Sequence, residues 1–387
     1  MKHFSTKFLI FVLLVAAILS GYNYFKRPFL ARFGNLEQQL ELVETLPAPD
    51  PIQLAVDQLT TREKVLQLIA YPVVLETSEA SLSAELAWIE ANRPGFVMLF
   101  GSSIDATPAA QFVQSTRFTA GYLPLIAVDH EGGTVQRLSG DGFTRLPSWR
   151  QVCQLAASTR KELFSRSAQE LSQVGIQLIF SPVVDVARDG SFLGSRACLT
   201  EGEVVSTATD YIQEFARFGV LSVIKHFPGI GSVTRDLHDQ LDSVELEPRD
   251  TIVFDRLLGT FPNIGVMTTH VVVPERTAGV PCSLNAACLD RFPANFPQVV
   301  LFTDALEMRA AGLVEGETTP KTLSTVATQA LLAGNDVLVF GETISAETVA
   351  EVIAVLEENY MANENFRRRV DDSVTKILKL KLPQEGE

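Results

Sequence analysis

The sequence predicts an α/β fold, and within that class a single (β/α)8 TIM-like barrel. Short apolar runs alternate along the chain with segments of helical pattern, which is typical of strand–helix repeats. The runs are continuously apolar, as expected for parallel strands that are buried on both faces of a sheet. The number of runs favours a closed barrel; they start at Tyr71, Gly95, Leu123, Ile176, Leu221, Ile264, Gln298 and Asn335. An open doubly wound sheet is the alternative architecture.

The segments between the runs carry the start and stop signals of helices. Thr60 and Glu63 have the spacing of a capping box, in which each side chain accepts a hydrogen bond from the backbone of the other residue. Several patterned segments end in a glycine shortly before the next strand, as a left-handed C-cap requires; these glycines are Gly175, Gly219 and Gly334. Both kinds of element therefore support the alternation.

The first residues differ in composition from the rest of the chain. An apolar run from Phe8 to Leu19 follows two lysines, and its length suits a signal-peptide core but is short for a membrane span. The proline-rich stretch that ends at Pro51 is typical of a stiff linker. We predict a signal peptide or retained membrane anchor at residues 1–27, a stalk and linker at 28–51, and the barrel domain at 52–387. The protein is then membrane-anchored or exported, to the periplasm or the cell exterior.

Composition narrows the class of function. The chain has 387 residues, of which 46% are hydrophobic and 20% charged, an ordinary balance for a globular protein. Its formal net charge of −14 gives no basic surface for nucleic acid, so that class is disfavoured. The four cysteines include no closely spaced pair of the zinc or redox type. Cys282 and Cys288 could bridge in an oxidising compartment, but we interpret the cysteines as free, mostly buried thiols.

Polar residues collect where predicted strands end; these are Asp129, Lys225 with His226, His270 and Asp304. The loop KHFPGIGSVTRDLHDQ, which begins at Lys225, adds Asp236 and His238. Each signal alone has an ordinary explanation, because an aspartate after a strand often caps a helix and an Asp–His pair often lies in a solvated turn. In a barrel, however, the carboxyl ends of the strands meet at one face, so together these residues predict an active site.

In these motifs the chain resembles glycoside hydrolase family 3, and specifically its β-N-acetylhexosaminidase branch. The resemblance covers nearly the whole predicted domain, from about Thr60 to Leu382. The family's motifs KHFPGxG…DxH, DxEGGxVQR and TDALxM begin here at Lys225, Asp129 and Thr303, and a GSR segment at 194–196 resembles the family's GNR.

Two residues of the loop depart from the family pattern. Ile230 occupies the position of a second histidine, and Leu237 that of a serine. Neither change removes the Asp–His pair, but together they affect the hydrogen bonding and rest position of the loop. Gly229 and Gly231 give its backbone the freedom to swing over a bound sugar and retreat for product release.

The resemblance implies an exo-acting, retaining β-N-acetylglucosaminidase that acts on peptidoglycan fragments or chitin oligosaccharides. Retention requires a carboxylate nucleophile on one face of the sugar and an acid/base on the other. Asp304 matches the nucleophile, His238 the acid/base, and Asp236 the residue that orients it. The residues that match the family's binding groups for the terminal sugar are Asp129, Arg137, Arg196, Lys225 and His226.

The same resemblance implies neither a metal nor an organic cofactor. We expect a monomer whose partners are an oligosaccharide substrate and, through the N-terminal segment, a membrane. The alternatives are a β-glucosidase or glycoside phosphorylase on the same fold, a weakened relative that only binds sugar, and a metal-dependent hydrolase. The spacing of His226 and His238 disfavours the last. His270 either supports the site from behind or is a packed structural residue.

Overall fold

The computed structural model of the chain describes residues 50–117 and 123–381. Within these ranges eight parallel strands form one sheet in the order β10-β1-β2-β3-β6-β7-β8-β9. A parallel bridge between Phe302 and Val337 links the two edge strands, so the sheet is a nearly closed barrel. The strands are β1 Ile69–Val74, β2 Phe96–Phe100, β3 Leu125–Val128, β6 Leu178–Ile179, β7 Leu221–Phe227, β8 Gly265–Thr268, β9 Leu301–Thr303 and β10 Leu338–Val339. The barrel prediction is confirmed over the open sheet.

A separate antiparallel hairpin, β4 His130–Gly132 and β5 Val135–Gln136, follows β3 directly. Helices connect the barrel strands, as predicted, and the crossover after β8 consists only of short helices. The helices before β6 are Pro51–Gln58, Thr61–Gln67, Glu79–Asn92, Ala106–Ser115, Trp149–Cys153 and Ala157–Val174. Those after it are Glu201–Ala216, Pro248–Thr260, Pro274–Thr277, Ala286–Leu289, Arg291–Asn295, Arg309–Gly312, Leu323–Ala333, Ala346–Ala362 and Glu364–Lys381.

Two of the predicted helix signals, one at a helix start and one at a helix end, are confirmed. Thr60 and Glu63 form the capping box, with the Thr60 N–H donating to Glu63 Oε2 at 2.8 Å. Gly175 caps its helix in the left-handed conformation with φ of 90°. Gly219 also has a positive φ, but its helix ends earlier, at Ala216. Helix boundaries near a glycine are thus predictable to within a few residues.

Aromatic side chains fill the interior of the barrel. The ring of Phe302 lies edge-on to Phe96, with 5.3 Å between centroids, and to Phe180 at 5.5 Å. All three side chains are fully buried. Such a packed interior is a solid core and not a channel, which leaves the strand ends as the place for a site.

The described residues from Ala55 onward form one compact unit. The helix Thr61–Gln67 of this unit lies against the C-terminal helices: Lys64 Nζ donates to Asp371 Oδ1 at 2.9 Å and to the Tyr360 hydroxyl at 3.1 Å. The predicted anchor at 1–27 and nearly all of the linker at 28–51 lie outside the described residues. Of the helices in ranges 50–117 and 123–381, none has the length and hydropathy to cross a bilayer.

The interpretation of the cysteines as free thiols is wrong. Cys153 pairs with Cys198 and Cys282 with Cys288, and no cysteine of the described residues is free. The Cα atoms are 6.2 Å and 5.3 Å apart, inside the range that a disulfide spans. The first pair escapes sequence analysis because 45 residues separate its members, and only the barrel brings the loop after β6 back to the helix Trp149–Cys153.

Candidate active site

A pocket opens at the carboxyl ends of the strands. Every residue that the sequence predicts for the site lines it; these are Asp129, Arg137, Arg196, Lys225, His226, Asp236, His238 and Asp304. They come from the ends of β3, β7 and β9 and from the loops after β3, β6 and β7. The structure therefore brings together all of the predicted residues, while their chemical roles stay predictions.

Asp304 follows β9 and is fixed on both oxygens. Its Oδ2 accepts a hydrogen bond from the Thr269 hydroxyl at 3.2 Å, and its Oδ1 accepts one from the Ala305 N–H at 2.9 Å. Burial would raise the pKa of this carboxyl, but its electrostatic interactions with His226 and His270 and the Ala305 N–H outweigh it and lower the pKa below its usual value. Asp304 is consequently ionised and oriented at neutral pH.

Four charged side chains form one wall of the pocket, which we call the clamp: Asp129, Glu131, Arg196 and Lys225. Lys225 Nζ lies 2.8 Å from Asp129 Oδ1 and 2.7 Å from Glu131 Oε1. Arg196 holds Glu131 in bidentate fashion, through Nε at 2.8 Å and Nη2 at 2.9 Å. Arg137 extends the wall, 3.7 Å from Asp129. Acids and bases alternate along the clamp, so each charge faces an opposite one.

Glu131 and Lys225, the two buried members of the clamp, stay charged. Burial would raise the pKa of Glu131, but Arg196 and Lys225 together lower it well below its usual range. Burial would likewise lower the pKa of Lys225, but Asp129 and Glu131 raise it above the ordinary value. Charged groups in a fixed arrangement suit the recognition of sugar hydroxyls, because a ligand that lacks a hydroxyl cannot make the hydrogen bond that they offer.

His226 is held from behind by Asp185. The Asp185 Oδ2 atom lies 2.7 Å from His226 Nδ1, and Asp185 Oδ1 accepts the Ile230 N–H at 2.7 Å. One buried carboxylate thus orients the histidine at the end of β7 and the turn of the loop that follows. Such a partner fixes which ring nitrogen is left to face the pocket.

Asp236 and His238 form a dyad in the loop after β7. His238 Nδ1 lies 2.6 Å from Asp236 Oδ1, and the His238 N–H donates to the same oxygen at 2.9 Å. The side chains are 51% and 66% exposed, in contrast to the clamp. Burial acts to raise the pKa of Asp236, but the two hydrogen bonds from His238 lower it overall. An ionised Asp236 orients the imidazole ring.

The two departures from the family pattern face the pocket as apolar side chains. Ile230 and Leu237 are both buried and both line the cavity. The hydrogen bonds nearby use the backbone, since the Ile230 N–H reaches Asp185 and the Leu237 carbonyl accepts from the Ala310 N–H at 3.3 Å. The dyad therefore forms without the polar side chains that the family pattern has at these positions.

The loop glycines have a packing reason in addition to the predicted freedom. A Cβ on Gly231 would lie 1.9 Å from the Val186 carbonyl oxygen, and Gly229 has φ of 120° with Asp250 directly against it. Both positions therefore exclude other residues even in a loop at rest. Swinging of the loop remains a prediction.

Sequence reasoning missed two carboxylates and a hydroxyl: Glu131, Asp185 and Thr269. Glu131 stands inside the DxEGGxVQR motif and Asp185 lies near the end of the apolar run that starts at Ile176, but neither was assigned a role. His270 does not line the pocket. It is buried, with Nδ1 2.6 Å from the Ser283 hydroxyl and Nε2 3.0 Å from the Ala305 carbonyl oxygen, so it supports the segment beside Asp304 from behind.

In the part of the chain that the structure describes, no group of three or more His, Cys, Asp or Glu is placed to hold a metal ion.

The chain is similar to known proteins in sequence and in fold. Residues 60–380 match the family model described as the glycosyl hydrolase family 3 N terminal domain. The chain is 31% identical over 308 residues to the beta-hexosaminidase LpqI of Mycobacterium tuberculosis, covering 75% of this chain and 76% of the relative. It is 34% identical over 260 residues to a beta-hexosaminidase of Methylococcus capsulatus, covering 63% and 74%. The crystal structure of beta-N-acetylhexosaminidase from Beutenbergia cavernae superposes with a TM-score of 0.70 at 26% identity, covering 84% of this chain and 99% of that one.

Proposed function

The chain belongs to glycosyl hydrolase family 3, and we propose that it is an exo-acting, retaining β-N-acetylglucosaminidase. Its substrates would be peptidoglycan fragments or chitin oligosaccharides with a terminal β-linked N-acetylglucosamine. The observation that carries the proposal is the pairing, in one pocket, of an ionised Asp304 with an Asp236–His238 dyad. The beta-hexosaminidase names of the relatives agree with it.

In the first step Asp304 attacks the anomeric carbon while His238 gives a proton to the leaving oxygen. The glycosidic bond breaks, a bond between the sugar and Asp304 forms, and the aglycone leaves as a neutral alcohol. In the second step the neutral His238 takes a proton from water, the resulting nucleophile displaces Asp304, and the anomeric configuration is retained. An imidazole titrates near pH ~6.5, which suits it to give and take a proton in turn near neutrality.

The clamp supports recognition of the terminal sugar. Lys225 is 4% exposed and Glu131 1%, so their charges are available to a ligand only from the pocket side. His226 and Arg137 line the same cavity. These charges would bind the hydroxyls of one terminal sugar, and we propose exo action because the family resemblance implies it.

We also propose that the protein works outside the cytoplasm, either anchored through the apolar run that starts at Phe8 or released after its removal. Disulfides persist in oxidising compartments and are rare in reducing ones. The two disulfides of the described residues agree with export. Fractionation of the producing cells checks this, and an intact, soluble cytosolic protein would contradict it.

The test of the activity is an assay with a matched pair of para-nitrophenyl β-glycosides, one of N-acetylglucosamine and one of glucose, each with and without phosphate. The proposal expects turnover of the N-acetylglucosaminide that does not depend on phosphate, with release of free N-acetylglucosamine. Preference for the glucoside would indicate a β-glucosidase, and a sugar phosphate product would indicate a phosphorylase. Binding of N-acetylglucosamine without turnover of either glycoside would indicate a sugar-binding relative.

A further inference from the structure

The loop between β6 and the helix Glu201–Ala216 carries Arg196 of the clamp. Residues 189–190 and 194–195 of this loop are exposed, and Arg196 sits on a single 3-10 turn, Gly194–Arg196. Ala197 and Cys198, which follow directly, are fully buried. The position of the Arg196 backbone is therefore set mainly by what holds Ala197 and Cys198.

A disulfide holds that point. Cys198 is bonded to Cys153, the last residue of the helix Trp149–Cys153. This helix is rigidly seated, because the Trp149 ring is buried with its centroid 6.2 Å from that of Phe164 and 5.5 Å from that of Tyr211. The guanidinium of Arg150 reaches the Ala197 carbonyl at 3.4 Å from the same helix. The covalent link thus joins the loop to a fixed part of the barrel wall.

The same loop touches the loop of the dyad. The Arg188 N–H donates to the Gly231 carbonyl at 2.8 Å, and the Phe192 N–H donates to the Val233 carbonyl at 3.0 Å. Phe192 also lines the pocket. A shift of the loop after β6 is consequently passed to both sides of the pocket.

We propose that the Cys153–Cys198 disulfide is a positioning element for Arg196, and that sugar binding weakens when the disulfide is absent. The guanidinium is held at its far end by Glu131. At the backbone end the disulfide adds a covalent tie to the hydrogen bond that the Cys198 carbonyl accepts from the Ala187 N–H at 2.9 Å. Cys153 and Cys198 touch no substrate and act through Arg196. The proposal rests on the proposed function, since it takes the clamp to be the binding site of the terminal sugar.

The test compares two double variants of the full chain, each of which removes one disulfide and leaves no unpaired thiol. Cys153→Ser with Cys198→Ser removes the disulfide beside Arg196, while Cys282→Ser with Cys288→Ser is the matched control. On the para-nitrophenyl N-acetylglucosaminide, the first should raise KM about tenfold with kcat within about threefold of wild type, because misplacing a binding group mainly loses ground-state contacts. The control should leave KM within about twofold. Equal KM values for the two double variants would overturn the proposal.

A double-mutant cycle separates positioning from a general loss of structure. In an Arg196→Lys background the removal of Cys153–Cys198 should change KM much less than in wild type, because the group being positioned is already lost. The same KM rise in both backgrounds would mean that the disulfide acts through something other than Arg196, and the proposal would be wrong.

Hydrogen exchange provides a readout that does not depend on activity or on folding without the disulfide. The Cys282→Ser, Cys288→Ser protein, folded with its remaining disulfide, is reduced with a phosphine and compared with its oxidised form. Faster exchange at residues 188–198 and 231–233 is expected on reduction, and unchanged exchange there would contradict the proposal. If the wild type hydrolyses no N-acetylglucosaminide, the proposed function fails, whereas this exchange experiment still decides whether the disulfide positions the loop.

Discussion

The two sides of the pocket are held in opposite ways. The clamp residues are buried or half-buried, and each of their charges is bonded to a residue from another strand or loop, as in the contact of Lys225 with Glu131. The dyad is exposed, and Asp236 and His238 are bonded mainly to each other, two residues apart. Buried ion pairs are costly to break, and exposed pairs contribute little to stability. In the proposed mechanism the clamp would serve binding and folding together, while the dyad would serve proton transfer alone.

The largest effect is expected at Asp304, the proposed nucleophile, which is fixed on both oxygens like the clamp residues. Asp304→Asn should fold, since it is nearly isosteric, and should lose nearly all turnover because no glycosyl-enzyme can form. A mechanism-based fluorinated glycoside should label Asp304 in the wild type, as mass spectrometry of the peptides would report. Retention of more than a few per cent of activity, a loss below about 2 kcal/mol of transition-state stabilisation, would assign the nucleophile elsewhere.

Substitutions in the dyad should lower activity without lowering the stability of the fold. His238→Ala is expected to slow cleavage of a poor leaving group such as a second sugar by roughly 10²–10⁴, and an activated aryl group far less, because the latter needs little protonation. Asp236→Asn should act in the same direction more mildly, since the imidazole stays but loses its orienting anion. Unfolding free energies should change by under about 0.5 kcal/mol, since both side chains are exposed.

The decisive measurement is the ratio of glycosylation rates on good and poor leaving groups for His238→Ala against wild type. An unchanged ratio would mean that another group supplies the proton. The control is the free energy of unfolding of Asp236→Asn, measured by denaturation. A large loss of stability in this variant would show that the dyad, like the clamp, contributes to folding.

Substitutions in the clamp, in contrast, should lower the stability of the fold as well as sugar binding. Glu131→Gln keeps the shape of the side chain but leaves Lys225 and Arg196 without their shared anion, so we expect a loss of about 3 kcal/mol of unfolding free energy together with a higher KM. Glu162→Gln is the control, because Glu162 pairs with Arg166 on the exposed face of a helix and should change stability little. Similar unfolding free energies for both variants would mean that the ion pairs of the clamp stabilise the fold no more than an exposed ion pair does.

The loss caused by Glu131→Gln should depend on pH in a definite direction. The pKa of Glu131 is lowered in the folded protein, against the effect of burial, by Arg196 and Lys225. The unfolded chain therefore binds the proton more readily, and the stabilisation is complete above the unfolded pKa of about 4.3 and lost as the pH falls towards the folded pKa. The gap in unfolding free energy between wild type and variant should narrow below roughly pH 4. A gap that widens in acid would show that the charge of Glu131 is not the cause.

Sequence analysis predicted the strands and motifs well because these signals are local or repeat along the chain. The run from Ile176, however, contains only a two-residue strand, Leu178–Ile179, because Pro182 has no N–H to continue the ladder. The contacts that complete the site join distant segments. Glu131 meets Arg196 across 65 residues and Cys153 meets Cys198 across 45, and only the closed barrel sets those distances.

The smallest effect is expected at Ile230, at the junction of the two sides. The backbone N–H of Ile230 is held by Asp185, as is His226, while its side chain is buried against the pocket. Ile230→His would put a polar ring into this apolar position without removing the backbone contact. The rate of Asp304 labelling by the fluorinated glycoside, which reports the nucleophile, should stay within about threefold of wild type, while steady-state kcat shifts through closure of the dyad loop. Ile230→Leu, of equal volume, is the control and should leave both rates unchanged. If the labelling rate and kcat fall together in Ile230→His, the substitution disturbs the nucleophile as well as the dyad loop. Residue 230 would then belong with the clamp and Asp304 and not with the dyad loop.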